Sequence, residues 1–220
     1  MTEAEAIQRF VALDQLGVCV AAFITRIAGI DVTNNKEETL RRLESAHRAA
    51  RNDLGVGDWP LVTAEQVHGN RVAVIDALPA RDKHLSGYDG FITNQRRIAL
   101  GIYVADCCAV YIVDPKIRAA ALLHSGKKGT KSQIAAKAIE AMRNNFGSNP
   151  SDLVVQLSPC IRPPHYEIDF AAHIREQCRA AGVNQINDCG ICTACDLNSY
   201  YSYRAEKGKT GRMLALLGLL

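Results

Sequence analysis

The spacing of apolar positions changes along the chain, and each change marks a predicted element. Thr2 and Glu5 form a capping-box pair, predicting a helix from the N-terminus that Gly17 ends. VCVAAFIT (18–25) predicts a buried strand, and a second helix starts near Asn35 and runs through KEETLRRLESAHRAARNDL until Gly55 stops it. Between Leu61 and His124 the runs RVAVIDA, YDGFITN, IALGIYVAD, AVYIVD and AAALLHS are short, rich in β-branched residues and punctuated by Gly, Pro or Asp, so they read as strands. Thr130–Phe146 returns to helical spacing, with Ile134, Ala138, Ile139 and Met142 on one face and Gly147 as stop. LVVQLSP predicts another strand and Phe170–Ala181 another helix, followed by a Cys-rich turn and a closing strand in RMLALLGLL.

Many strands in succession, with helices before and after them, predict an α+β fold rather than alternating βαβ units. There is no internal repeat or low-complexity linker, so residues 1–220 read as a single domain with mixed β-sheets flanked by helices. A net charge of +3, without a basic run, argues against nucleic acid and against an anionic membrane surface as partners. The apolar tail Met213–Leu220 is far shorter than the roughly 20 residues that cross a bilayer. MTEAEAIQRF lacks the basic start and apolar stretch of an export signal, so the expected compartment is the cytoplasm and the eight cysteines are expected as thiols or metal ligands. Cys19 and Cys178 fall in apolar or helical contexts and read as core.

Three segments carry chemistry: AEQVHG around His68, VADCCAV around Cys107 and LLHSGKKGT around His124. Each sets a soft or borderline donor at or just past the end of an apolar strand, where side chains from several strands can share a cleft. Two imidazoles and a thiolate form a zinc set of three protein ligands with a fourth position open, at ~2.0–2.1 Å to nitrogen and ~2.3 Å to sulfur. Taken singly, each residue reads more often as structural. Asp106 reads as an acid, as an orienting neighbour or as a turn residue. Cys108 should face away from Cys107 and pack. CTAC (192–195), with Cys189 nearby, reads as a structural turn or as half of a second metal site, because Cys160 stands alone in its segment.

Eight motifs occur in one order: EQVHG (65–69), GYDG (87–90), ADC (105–107), HSGKKG (124–129), SPCIRP (158–163), CTAC (192–195), YYSYRA (200–205) and TGR (210–212). Together they resemble the laccase-domain (YfiH-like) family, described as multicopper polyphenol oxidase-like and as purine nucleoside phosphorylases. The resemblance implies a fold similar to the cytotoxic necrotizing factor deamidase domain. It also implies a zinc ion on His68, Cys107 and His124, with Cys107, His124 and Asp106 in catalysis. Gln66, Asn70, Ser125, Lys128 and Arg204 are then the substrate-binding candidates. The implied reaction is phosphorolysis of adenosine, inosine or methylthioadenosine, with adenosine deamination alongside, and the implied partners are a purine nucleoside and phosphate.

Where the family has Trp-Arg after the second histidine motif, this chain has Lys127 and Lys128, which keep charge but lose the planar guanidinium fork. Thr39-Leu40 replaces an Asn-Arg pair, leaving Arg41 or Arg42 as substitutes, and Ala205 replaces an arginine beside Arg204. These changes keep two alternatives open: a cysteine hydrolase using a Cys107–His124 pair, and a diverged paralogue that binds purines without turnover. A multicopper oxidase is disfavoured by six histidines without a His-x-His pair and methionines only at 1, 142 and 213.

Overall fold

CAVYIVD and AAALLHS are buried along their whole length, so each of these strands needs cover on both faces. A computed structural model, which describes residues 6–220, shows how that cover is supplied. In chain order the elements are β1 (Ile7–Arg9), α1 (Val11–Asp14), β2 (Cys19–Ile24), α2 (Lys36–Asp53), β3 (Leu61–Ala64) and β4 (Val72–Ile75). They continue through β5 (Lys83–Leu85), β6 (Gly90–Thr93), β7 (Ala99–Val104), β8 (Cys108–Asp114) and β9 (Ala119–Ser125). The remainder holds α3 (Lys127–Lys131), α4 (Ile134–Phe146), β10 (Val154–Leu157), α5 (Phe170–Ala180), β11 (Gln185–Asp188) and β12 (Met213–Leu219).

The strands form two six-stranded sheets, ordered β1-β2-β12-β7-β3-β5 and β11-β10-β8-β9-β6-β4. Both are mixed: β3 runs parallel to β5 and β7, β4 to β6, and β10 to β11, while the other neighbours are antiparallel. Strand alternation then sorts the side chains of β8 and β9 into two layers. Ala109, Tyr111, Val113, Ala120 and Leu122 meet Phe23, Leu100 and Ile102 of the facing sheet. Cys108, Val110, Ile112, Ala121 and Leu123 meet Ala138 and Met142 of α4 and Ile174 and Cys178 of α5. On the far side, Ile24, Leu214 and Leu216 are covered by Trp59 and by Ala50 of α2. The result is an α+β stack of helix, sheet, sheet and helices, and Cys19, Cys108 and Cys178 are core, as expected.

Two local expectations fail for tertiary reasons, and two strands were not expected. Thr2 and Glu5, the capping-box pair, lie outside the described residues, but from Ile7 the chain is a strand paired with β2, followed by the single turn of α1. Pairing along an open sheet edge overrides the helical pattern there. The helix expected over Thr130–Phe146 is broken in two, with Gln133 at φ 59° between α3 and α4. α3 is pinned to β9, where the buried hydroxyls of Ser125 and Thr130 lie 2.9 Å apart, whereas α4 lays its apolar face on the sheet. β5 and β11 are short and polar, and their patterns did not announce them. Among the described residues, no helix is long and apolar enough to cross a membrane.

Candidate metal and substrate site

One buried carboxylate organises both histidine-bearing segments. Asp89, just before β6, accepts from the backbone N–H groups of His68 at 2.8 Å and Gly69 at 2.7 Å, and its other contact is the His124 Nδ1, 2.9 Å away. The His124 N–H also donates to the Asp89 carbonyl at 2.7 Å. Because Nδ1 is committed to Asp89, Nε2 of His124 is the nitrogen left for a ligand. His124 pairs with Ala109 in the β8–β9 ladder and therefore faces the layer between the sheets, at its open end. The loop after β3 is fixed by the Gln66 amide, which accepts from the Tyr103 N–H at 3.0 Å and donates to the Tyr103 carbonyl. Gln66, His68 and Asp106 hold left-handed φ values of 64°, 61° and 83°, a strained conformation that aims their side chains at this end of the sandwich.

The structure brings His68, Cys107 and His124 together, with one donor atom from each within 4.8 Å of the others. The His68 and His124 rings meet edge to face at 4.7 Å. Burial pushes the Cys107 thiol up, but the charge and hydrogen bonds of His124 and His68 outweigh it and bring it down to about 6. Burial alone would lower His124, yet the Cys107 sulfur and Asp89 lift it to about 9. The pair thus favours thiolate and imidazolium, the electronic state closest to a deprotonated metal ligand on sulfur. Asp89 is held below the usual carboxylate range despite its burial, by His124 and the Gly69 and His68 N–H groups. Gly126 leaves room for the sulfur, since a Cβ there would stand 2.5 Å from the Cys107 Sγ. A soft sulfur, two borderline nitrogens and an orienting carboxylate make a donor set that fits a divalent metal.

The cluster opens into a cavity of about 820 Å³. Gln66, Asp106, Lys128 and Arg204 reach its wall, as do all three cluster residues. Asn70 and Ser125 do not line it: the Asn70 amide donates to the Ser132 carbonyl, and Ser125 is fully buried against Thr130. Asp106 has both oxygens engaged, accepting from the Thr193 hydroxyl at 2.8 Å and from the Arg204 N–H at 2.7 Å. Arg41 and Arg42 turn away, the first onto Glu38 and the second onto Glu38 and Asp31. Glu167 sits at the rim, one oxygen 3.1 Å from Lys127 Nζ and the other 3.1 Å from Arg204.

Sequence reasoning missed Lys36 and Arg212, which also line the cavity. Burial lowers both below their ordinary values, and for Lys36 the charge of Arg212 adds to it. Asp89 was missed as well. It lay in the GYDG motif, and Arg212 in TGR, so both were visible as motif members without an assigned task. Nothing marked Lys36 apart from its place beside the cap of α2.

Fold and site together define an α+β protein with a His-Cys-His cluster at the mouth of a cationic cavity. Residues 15–172 and 165–220 match the family model described as multi-copper polyphenol oxidoreductase laccase, and the chain belongs to that family. It is 27% identical to the purine nucleoside phosphorylase YlmD of Bacillus subtilis, over 92% of this chain and 85% of that one. With a purine nucleoside phosphorylase of Corynebacterium glutamicum it shares 29% identity over 76% of this chain and 77% of the other. The crystal structure of YlmD from Geobacillus stearothermophilus superposes with a TM-score of 0.84 at 23% identity, covering 97% of this chain and 98% of that one. Bacillus licheniformis YfiH gives 0.85 at 22% identity, covering 98% and 97%.

Proposed function

We propose that this chain is a zinc-dependent purine nucleoside phosphorylase of the cytoplasm, acting on adenosine, inosine or methylthioadenosine, with adenosine deamination as a second activity. The observation that carries the reading is the shared cavity, whose wall holds both the three-donor cluster and the cations Lys36, Lys128 and Arg212. The relatives named purine nucleoside phosphorylase support it, and eight free thiols suit a reducing compartment.

In this reading His68, Cys107 and His124 would hold a zinc ion, which would supply a Lewis acid. Copper chemistry of the laccase type would need more donors. Met142 and Met213 are buried in the core, and His47, His84, His165 and His173 lie off the cavity wall. Asp89 fixes the His124 tautomer and the loop that carries His68. The lysines and Arg212 hold phosphate so that its oxygen attacks the ribose anomeric carbon while the bond to the purine nitrogen breaks. Tyr166, Phe170 and Tyr203 offer aromatic faces to the base. Asp106, with both oxygens occupied, positions the Arg204 and Thr193 segments rather than moving protons.

Purified zinc-loaded protein given adenosine and phosphate is expected to release adenine and ribose 1-phosphate. Cys107→Ser should lower the rate at least ~100-fold, and Lys36→Met should raise the phosphate KM about tenfold with a smaller change in kcat. Absence of turnover on all three nucleosides would sink the proposal, and nucleoside binding without turnover would favour the non-catalytic paralogue.

A cysteine hydrolase is the second reading, because Asp89, His124 and Cys107 stand in line as orienter, base and nucleophile. His68 separates the two: His68→Ala should abolish a metal-dependent reaction and spare a thiol-dependent one.

A further inference from the structure

A second group of metal-type donors lies outside the cavity. His165 Nδ1 is 3.5 Å from the Cys195 Sγ and 3.7 Å from the Cys192 Sγ, and the three donor atoms lie within 4.8 Å of one another. None of the three lines the large cavity. Tetrahedral zinc with ordinary bond lengths sets nitrogen and sulfur ligands about 3.6 Å apart, so the three donors, which here share thiol–imidazole hydrogen bonds, already stand at spacings an ion could bridge.

The scaffold holds the donors in place. Cys192 and Cys195 flank a tight turn closed by the Cys195 N–H donating to the Cys192 carbonyl at 3.1 Å. Inside that turn Thr193 is fully buried, its hydroxyl donating to Asp106 and its N–H to the Cys160 carbonyl at 3.2 Å. His165 sits on a second turn, its N–H donating to the Arg162 carbonyl at 2.9 Å. Arg162 ties the two turns together, with its guanidinium on Asp188 and its Nε donating to the Ile191 carbonyl at 3.2 Å. Both sulfurs are free thiols.

We propose that Cys192, Cys195 and His165 form a second, structural site for a zinc-class divalent ion, with the fourth position open to solvent. Binding releases the two thiol protons to water and leaves a neutral centre of one dication and two thiolates. The ion would clamp the CTAC turn to the segment that carries Tyr166, bracing the cavity wall from outside. This assignment is independent of the ion at His68, Cys107 and His124.

The test is metal content by elemental mass spectrometry on the full chain, loaded with zinc under reducing conditions and passed through a desalting column. Wild type is expected to retain two zinc ions per chain. Cys192→Ser/Cys195→Ser and Cys107→Ser should each retain one, with folding checked by circular dichroism. A cobalt-loaded Cys107→Ser protein should keep thiolate-to-cobalt absorption, and His165→Ala should weaken cobalt retention at least tenfold without removing the sulfurs. If wild type and the double cysteine variant retain the same number of ions, or if Cys192 and Cys195 are found as a disulfide in the reduced preparation, the second site is overturned. If the double variant loses one ion while Cys107→Ser loses none, the second site stands and the first one fails.

Discussion

Asp89 ties both histidine-bearing segments of the cavity cluster to one buried carboxylate, which accepts the backbone N–H groups of His68 and Gly69 and binds the His124 imidazole. Asp89→Asn replaces one acceptor oxygen by a donor, so at least one of these partners loses its bond. Metal affinity is expected to fall about 10–100-fold and stability by ~2 kcal/mol, read by competition with a chelator and by denaturant titration. Unchanged affinity would mean that the cluster orients itself. At this scale the sequence disclosed the donors by type, because His68, Cys107 and His124 end apolar runs. Asp89 stayed hidden because a carboxylate beside a glycine before a strand looks like any turn residue. Ser125 neighbours His124 on a strand and so points to the other face, where it is buried against Thr130.

The elements that match their sequence patterns are those whose ends are chemically marked. α2 begins where the Asn35 side chain accepts from the Glu38 N–H at 2.9 Å and ends before Gly55 at φ 72°. Asn35→Ala is expected to destabilise the protein by about 1 kcal/mol, seen as a lower denaturant midpoint with an unchanged slope. That cap also fixes Lys36, a cation at the positive end of a helix dipole, whose Nζ donates to the Glu65 carbonyl at 2.9 Å on the cavity wall. The split between α3 and α4, and the strand β1, were illegible because packing rather than periodicity decides them: Thr130 against Ser125 five residues earlier, and Ile7–Arg9 against β2. CTAC was readable as a turn, but its histidine neighbour, His165, is supplied by another loop and has no local signature.

Across the whole molecule, two sheets share one core, and polar groups caught in the layers respond to pH together with the fold. His47 of α2 is buried against Tyr103, with ring centroids 5.7 Å apart, and burial lowers its pKa to about 4. Its unfolded value is near 6.5, so the folded state prefers the neutral ring. Stability from this group is full above about pH 6.5 and is lost as pH falls toward 4. Between pH 7 and 4.5 the wild type is expected to lose about 2 kcal/mol more than His47→Phe, measured as the difference between their denaturant midpoints. Parallel losses would show that the ring takes up its proton without resistance.

The rim carboxylate of Glu167 carries a consequence for traffic into the cavity. It stands between Lys127 and Arg204 and neutralises part of the positive charge that these two side chains present. All three side chains are half exposed, so each contact contributes at most ~1 kcal/mol and yields readily. A phosphate offering several oxygens can displace the latch, while chloride gains little by doing so. Under the proposed reading, an incoming phosphate would have to take Lys127 and Arg204 from Glu167 before either cation could serve it.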